Sequence, residues 1–361
     1  MDDNQQLQQV RARIDILDEQ IQRLINERAG LACETARIKQ ALGLGENYFR
    51  PEREAEILRR VIARNQGPLN SQEMARLFRE IMSACLALEM PLTIAYLGPE
   101  GTFTEAAAFK HFGHSVRTQP LIAIDEIFRE VEANTAHYGV VPVENSTEGA
   151  VTHTLDQFLV SPLQICGEVE LRIHHHLLSM NKMIAEVNRL YAHQQALAQC
   201  RGWLDTHLAG CERIPVSSNA EAARRAGSEP GCAAIASDRA QEIYGLRSLA
   251  ANIEDEPGNT TRFLIIGSQA VVSSGNDKTS LLVSGPNRPG LLYNLLRPLV
   301  ENGISMTRLE SRPSRRGLWE YVFFIDVEGH RDDPKVATAL AALKEQASFL
   351  KLLGSYPRAV I

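Results

Sequence analysis

The chain has 361 residues, enough for two or three domains, and its hydrophobic fraction of 44% allows a sizeable core. A net charge of −6 leaves no basic footprint for nucleic acid. The opening MDDNQQLQQVRAR lacks the apolar stretch of a secretory signal, and no window reaches the roughly 18 apolar residues of a membrane span. The expectation is a cytoplasmic protein with no membrane partner, its six scattered cysteines reduced.

Residues 7–90 read as wholly helical. Leu7, Val10, Ile14, Leu17, Ile21, Leu24 and Leu31 keep the spacing of one long amphipathic helix, broken where Arg28 takes a seam position. Pro51 suits the first turn of a second helix. Asn70 and Glu73 make a cap-like start for a third, and Pro91 ends it. A solvated, salt-bridged surface explains most helix arginines, but one on an apolar seam needs an anion beside it. Arg11 and Arg28 share that flank, yet the helical rise sets them roughly 26 Å apart. One small ligand touches both only if Arg11 comes from an antiparallel partner chain. Lys39 lies three turns beyond Arg28 on nearly the same face.

The stretches VRARIDILDEQIQRLINER, RIK and RPERE resemble the all-helical chorismate mutases, over about residues 5–90. The resemblance implies a helical mutase domain over 1–91 and at least a homodimer. It implies a chorismate site of the partner's Arg11 with Arg28, Lys39, Arg53, Glu54, Cys85 and Glu89. In a pericyclic rearrangement of a dianion, arginines hold the carboxylates. Lys39 and a second donor stabilise charge growing on the ether oxygen. Many family members carry an acid where Arg50 stands, Ser where Cys85 stands and Gln where Glu89 stands. Gln donates a hydrogen bond and ionised Glu cannot, so Glu89 must keep its proton, which requires a raised pKa.

From Thr93 to about Gly267 the texture becomes α/β, with short apolar runs TIAYLG, GVVPV, RLYAH, CAAIAS and RFLIIG between helical patterns. Several runs end in polar loops that lead into helices: YLGPEGTFTEAA, VVPVENSTEGAV, VSSNAEAA and AIASDRAQ. Ligands of α/β sheets sit beyond the carboxyl ends of strands, and helix N-termini favour anions. Each Ser, Thr or Asn there is, taken singly, equally read as a plain helix cap. Asn145-Ser146-Thr147 and Asn259-Thr260-Thr261 match the glycosylation pattern, but a cytoplasmic chain never meets that machinery; they read instead as polar clusters of a site. NTTRFLIIG sets a hydroxyl beside an arginine, and HQQALAQC sets Gln195 and Gln199 on one helix face. In RIHHHLL only His174 and His176 share a strand face, with no carboxylate or cysteine at a helpful spacing, so no metal is expected. GLGENY, starting at Gly43, follows a helix rather than a strand and is a poor dinucleotide loop, so no cofactor is expected.

GPEGTFT, VPVENSTEGA, HQQALAQC and NTTRFLIIG together resemble prephenate dehydratase, over 92–270. The resemblance implies a two-lobed α/β domain that binds prephenate through Glu144, Asn145, Ser146, Thr147, Gln195, Gln199, Thr261, Arg262 and Phe263. Thr261 would stand nearest the departing hydroxyl as a donor or relay. Arg262 would hold a substrate carboxylate, Asn145 and one of the glutamines would orient the substrate, and Glu144 is a candidate proton source. Phe263 or Phe103 would give the leaving carboxylate a less polar surrounding.

SQAVVSSGNDK reads as a linker. Strand TSLLVS, helix 289–301, strands ISMTRLES and WEYVFFIDV, helix 334–346 and strand FLKLLGSYP then give the βαββαβ order of a ferredoxin-like domain. GPNRPGLLYNLL and TRLESRPSRRG resemble the ACT domains attached to prephenate dehydratases, over 278–361. The resemblance implies phenylalanine bound between paired domains at Asn287, Pro289, Gly290, Leu291, Leu292 and Asn294, with Glu310, Ser311, Arg312 and Pro313. Gly290 would let the backbone approach the amino acid closely.

The three resemblances imply a multidomain enzyme that turns chorismate into prephenate and then phenylpyruvate, needs no cofactor and is inhibited by phenylalanine. A solute-binding protein would share a two-lobed architecture but needs export. A regulatory protein with inactive sites would share the whole outline, but Arg28, Lys39, Thr261 and Arg262 all stand in their expected positions.

Overall fold

The computed structural model describes residues 3–43, 49–286, 288–313 and 321–361. Three helices come first: α1 (Asp3–Ala41), α2 (Pro51–Arg64) and α3 (Ser71–Glu89). Pro51 opens α2, where its missing N–H is no loss, and Asn70 caps α3 by accepting from the Glu73 N–H at 2.8 Å. The 39 residues of α1 bury none of their number, and Leu17, Leu24 and Leu31 on its apolar seam are 54%, 57% and 58% exposed. The fully buried core under these helices is small, Leu58, Ala75 and Met82, with Val360 and Ile361 from the far end of the chain packed on it.

A two-lobed α/β unit follows. The first lobe takes β1 (Thr93–Leu97), α4 (Phe103–Phe112), β2 (Arg117–Leu121), α5 (Ile124–Glu132), β3 (Tyr138–Asn145), β4 (Gly149–Ala150), α6 (Thr152–Val160) and β5 (Gln164–Arg172). The second takes β6 (His176–Ser179), β7 (Arg189–His193), α7 (Gln194–Gln199), α8 (Arg201–His207), β8 (Glu212–Val216), α9 (Asn219–Ser228), β9 (Cys232–Ala236), α10 (Asp238–Tyr244) and β10 (Arg247–Ala250). Then β11 (Thr260–Gly267) returns to the first lobe, between β3 and β5. The sheets run β2-β1-β3-β11-β5, with β4 on β3, and β10-β6-β9-β7-β8. The chain therefore crosses between lobes twice, at 173–175 and 251–259. The two crossings are tied by main-chain bonds from Ile253 N–H to His175 O and from Ile173 N–H to Asn259 O, both 2.9 Å.

The last unit has β12 (Asp277–Ser284), α11 (Leu291–Glu301), β13 (Met306–Pro313), β14 (Tyr321–Glu328), α12 (Pro334–Gln346) and β15 (Phe349–Pro357). Its order along the chain is the βαββαβ read from the sequence, and its sheet runs β13-β14-β12-β15. One face carries α11 and α12. The other shares a core with the first lobe, where Leu282, Phe324 and Leu353 meet Ile127, Phe158 and Ile165. There β15 crosses β5 so closely that a Cβ on Gly354 would lie 2.3 Å from the Ile165 carbonyl oxygen.

Candidate functional site

Antiparallel pairing of β3 and β11 sets Asn145 directly opposite Thr261, which brings the two glycosylation-like triplets together. The orientation of the Asn145 carboxamide follows from its neighbours. The backbone N–H groups of Thr147 and Glu148 donate to its Oδ1 at 3.0 and 3.1 Å. A backbone N–H cannot accept, so the opposite side of the amide is the NH₂. It donates to Asn259 Oδ1 at 2.7 Å and to Thr261 Oγ1 at 2.8 Å. Among the described residues the Thr261 hydroxyl has no acceptor of its own. Its oxygen is engaged by Asn145, and its proton is left to point elsewhere.

Gln199 reaches this cluster from α7 of the other lobe. Its Oε1 accepts from Asn259 Nδ2 at 3.2 Å, and its Nε2 donates to Glu148 Oε1 at 3.3 Å. The cluster thus sits at the hinge and is built from both lobes and a crossing. It opens into a cavity of about 540 Å³ lined by Thr147, Glu148, Gln199, Glu254 and Asn259 among others. Glu254 joins the two crossings, bonding His174 Nδ1 at 2.8 Å and the His175 N–H at 2.9 Å. Burial works to raise its pKa, but those hydrogen bonds outweigh it and hold the carboxyl below its ordinary range. Of the two candidate glutamines Gln199 is the one in the network; the Gln195 N–H lies against His193 Nδ1 at 3.4 Å. Thr102, Ser218 and Ser237 in the other polar loops do cap α4, α9 and α10, so for them the plain cap reading holds.

Two residues expected beside Thr261 go elsewhere. Successive strand residues face opposite sides, and Arg262 turns away from Thr261 into the seam with the last unit. Its guanidinium bonds Glu168 at 2.9 Å, Asp326 at 2.6 Å and the Tyr356 hydroxyl at 3.0 Å, so each of its three nitrogens is engaged in the seam rather than beside Thr261. Burial would lower its pKa, but Tyr356, Asp326 and Glu168 hold it above its ordinary value. Phe263 is only 2% exposed, in a core with Tyr138 and Val169, while the Phe103 ring meets His175 edge-on at 5.7 Å. Ser146 Oγ accepts the Thr260 N–H at 2.9 Å and fastens the strand ends. Glu144 meets Arg308 of β13 at 3.1 Å.

In the helical unit Arg28, Lys39 and Glu89 converge. Burial raises the Glu89 pKa, and the nearby Lys39 and Arg28 charges offset only part of that rise. Its Oε2 is buried and finds no hydrogen-bond partner among the described residues. Arg53 and Glu54 do not join this group. Arg53 is exposed and pairs with Glu56 at 2.8 Å. Glu54 faces Arg79 of α3 at 3.2 Å, its pKa raised by burial against the opposing pull of that guanidinium. The reason is packing: α2 buries Ala55 and Leu58, which turns Glu54 toward the half of α3 where buried Arg79 needs an anion. Arg50 and Glu52 instead share a cavity of about 290 Å³ with Lys39. Cys85 is 3% exposed. Arg11 lies exposed on α1, an unbroken helix that keeps it away from Arg28 of its own chain.

In the last unit Gly290 has φ 82°, the left-handed region that favours glycine, and starts α11; its carbonyl accepts from the Asn294 N–H at 2.9 Å. Pro289 is exposed; Leu291 and Leu292 are half-buried. Leu291 lies against Gly285, where an added Cβ would meet it at 2.6 Å. Glu310, Ser311 and Pro313 lie on edge strand β13, while Asn287 and most of the GLGENY stretch fall outside the described residues. Arg312 departs from the expected effector group: it bonds the Thr152 carbonyl at 3.2 Å and Asp156 at 3.1 Å, both on the first lobe.

Sequence reasoning placed Asn259 in a polar cluster without giving it a role, and missed Glu254, His175 and Arg308. Glu254 lies 80 residues from its His174 partner, so no spacing announced it.

The sequence matches three family descriptions: Chorismate mutase type II over 10–90, Prephenate dehydratase over 94–271 and ACT domain over 279–345. It is 58% identical to the bifunctional chorismate mutase/prephenate dehydratase of Stutzerimonas stutzeri and 57% identical to that of Pseudomonas aeruginosa, over 100% of each chain. Among solved structures, the prephenate dehydratase of Arthrobacter aurescens in complex with L-Phe is similar with a TM-score of 0.69 and 36% identity, over 74% of this chain and 90% of that one.

Proposed function

The chain belongs to the family of bifunctional chorismate mutase/prephenate dehydratases, and from that premise we propose which residues carry its two reactions and its control. It rearranges chorismate to prephenate and converts prephenate to phenylpyruvate.

In the second reaction the bond to the ring carboxylate breaks and its electron pair moves into the ring. The ring C–O bond breaks, the oxygen leaves with a proton as water, and CO₂ departs. Hydroxide leaves poorly unless a donor meets it. The observation that carries the reading is the Asn145 amide donating into Thr261 Oγ1. It leaves the threonine proton for the departing hydroxyl and stabilises the oxygen as that proton moves, and the threonine regains a proton from solvent. Gln199 and Asn259 hold Asn145 and orient the substrate. A Thr261→Val variant fed chorismate should accumulate prephenate, with phenylpyruvate formation down by about 10²- to 10⁴-fold. Phenylpyruvate at the wild-type rate in that variant removes Thr261 from the reaction.

For the first reaction, Arg28, Lys39 and a protonated Glu89 act on chorismate, joined by the partner's Arg11. The open seam of α1 supports an antiparallel homodimer, since a helix with no buried residue of its own needs a second surface. Phenylalanine is the effector, bound by the start of α11 and the edge strand β13 of paired regulatory units. From that same strand Arg308 and Arg312 reach Glu144 and Asp156, on either side of Asn145 in the chain, which gives the effector a short route to the hinge site. We read the chain as cytoplasmic; no described helix is long and apolar enough to cross a membrane.

A further inference from the structure

The run His174-His175-His176 lies at the first crossing between the lobes, and the function above assigns it nothing. His175 is 2% exposed. Its backbone N–H is held by Glu254, and its Nε2 lies 2.8 Å from Gln199 Oε1.

The proton on this imidazole can be placed by following the hydrogen bonds from a fixed starting point. The Thr147 and Glu148 N–H groups make the near atom of Asn145 its oxygen, so the Asn145 NH₂ donates to Asn259 Oδ1. Asn259 therefore presents its NH₂ to Gln199, and the Gln199 atom that receives it is Oε1. An oxygen cannot donate, so the His175 nitrogen facing the same Oε1 must carry the proton. The ring is the Nε2–H tautomer with a bare Nδ1. Nδ1 is buried and has no partner among the described residues, and burial lowers the imidazole pKa, so the ring is neutral. Every donor in the series is thereby fixed: His175 to Gln199, Asn259 to Gln199, Asn145 to Asn259 and Asn145 to Thr261.

We propose that His175 is a positioning residue of the dehydratase, whose Nε2–H, with Glu148 at the other end of the amide, holds the Gln199 carboxamide against Asn259 and so steadies the series that ends at Thr261. Without that donor Gln199 Oε1 keeps only the Asn259 NH₂, and the amide is held at its other end by Glu148 alone. Gln199 then sits loosely, and the series upstream of Thr261 loses its fixed end. The inference rests on the Thr261 reading and adds the origin of that fixed end.

The test uses the full-length protein with His175→Phe, which keeps a ring against Phe103 but has no donor, and His175→Gln, whose amide NH₂ can replace the Nε2–H. Dehydratase kcat should fall about 10- to 100-fold in His175→Phe with KM nearly unchanged, and most of it should return in His175→Gln. The mutase rate, measured on the same samples, should stay at wild type. A normal kcat in His175→Phe, or an equal loss in both variants, overturns the proposal, because then the donor does not matter. If His175→Phe fails to fold, the wild-type protein still decides: the ¹⁵N spectrum of its histidines should show His175 protonated at Nε2 and bare at Nδ1, and the opposite tautomer overturns it. Thr261→Val is assayed alongside. Full activity there sinks the Thr261 reading itself, an outcome distinct from a His175 result.

Discussion

A carboxyl group donates a hydrogen bond only while it keeps its proton, and burial raises the Glu89 pKa by more than Lys39 and Arg28 lower it. Its pKa lies above the ordinary value, so the donor is present at lower pH and is lost as pH rises through the raised value. Mutase kcat should decline with rising pH over that range, and Glu89→Gln should give a flatter profile; parallel slopes in the two proteins would rule out the protonated carboxyl. His111 titrates in the opposite sense for stability. It is buried beside Arg79, and its pKa is pushed down from 6.5 to about 3, burial being the main cause. The unfolded chain takes up the proton first, so His111's contribution is full above pH 6.5 and is lost as pH falls toward 3. Denaturant titrations should show a loss of about 2 kcal/mol between pH 6.5 and pH 5, absent in His111→Phe. Asn145 and Thr261 were legible in the sequence because each sits in a polar triplet beside an apolar run, Asn145 after one and Thr261 before one. Arg262 was misread for want of one rule: its neighbour's face of the strand is never its own.

Among elements, β13 has the largest reach. Its Arg308 and Arg312 leave the regulatory unit for Glu144 and for Asp156 with the Thr152 carbonyl. Arg312→Ala should keep dehydratase activity without effector but weaken inhibition by phenylalanine, by a factor within the roughly 5- to 150-fold range of ordinary site-to-site coupling. Unchanged inhibition in that variant would take Arg312 out of the route. The βαββαβ order was legible because apolar runs and helical patterns alternate cleanly there. The weaker strands of the middle unit were not. RTQPL and ERIPV carry Pro120 and Pro215, which argue against a central strand, and both prove to be sheet edges, β2 and β8, where a missing N–H is tolerated. The RPERE motif on α2 misled in another way. Its glutamate is claimed by Arg79, a residue 25 positions later that the motif does not contain.

Across the whole molecule, two seams hold different things together. The open seam of α1 calls for a second chain, so Leu17→Glu with Leu24→Glu should yield a lighter species in sedimentation, with mutase activity lost and dehydratase activity kept. The seam between the α/β unit and the regulatory sheet is closed by buried charge: Arg262 with Glu168 and Asp326, and Lys278 with Glu168 at 2.9 Å. Arg262→Ala would leave buried Asp326 without its cation and Glu168 with Lys278 alone, and unfolding free energy should fall by about 3–5 kcal/mol. The α1 seam was legible as an apolar stripe of helical spacing; the charged seam was not, because Arg262, Asp326 and Lys278 lie far apart in the sequence and in different units. Strand β11 joins these matters at adjacent positions, the hydroxyl proposed for the reaction at 261 and the cation of the regulatory seam at 262. Deleting or inserting one residue within that strand would send each side chain to the other's address. One strand thus ties the hinge cluster to the regulatory seam, and a change in its length disturbs both at once.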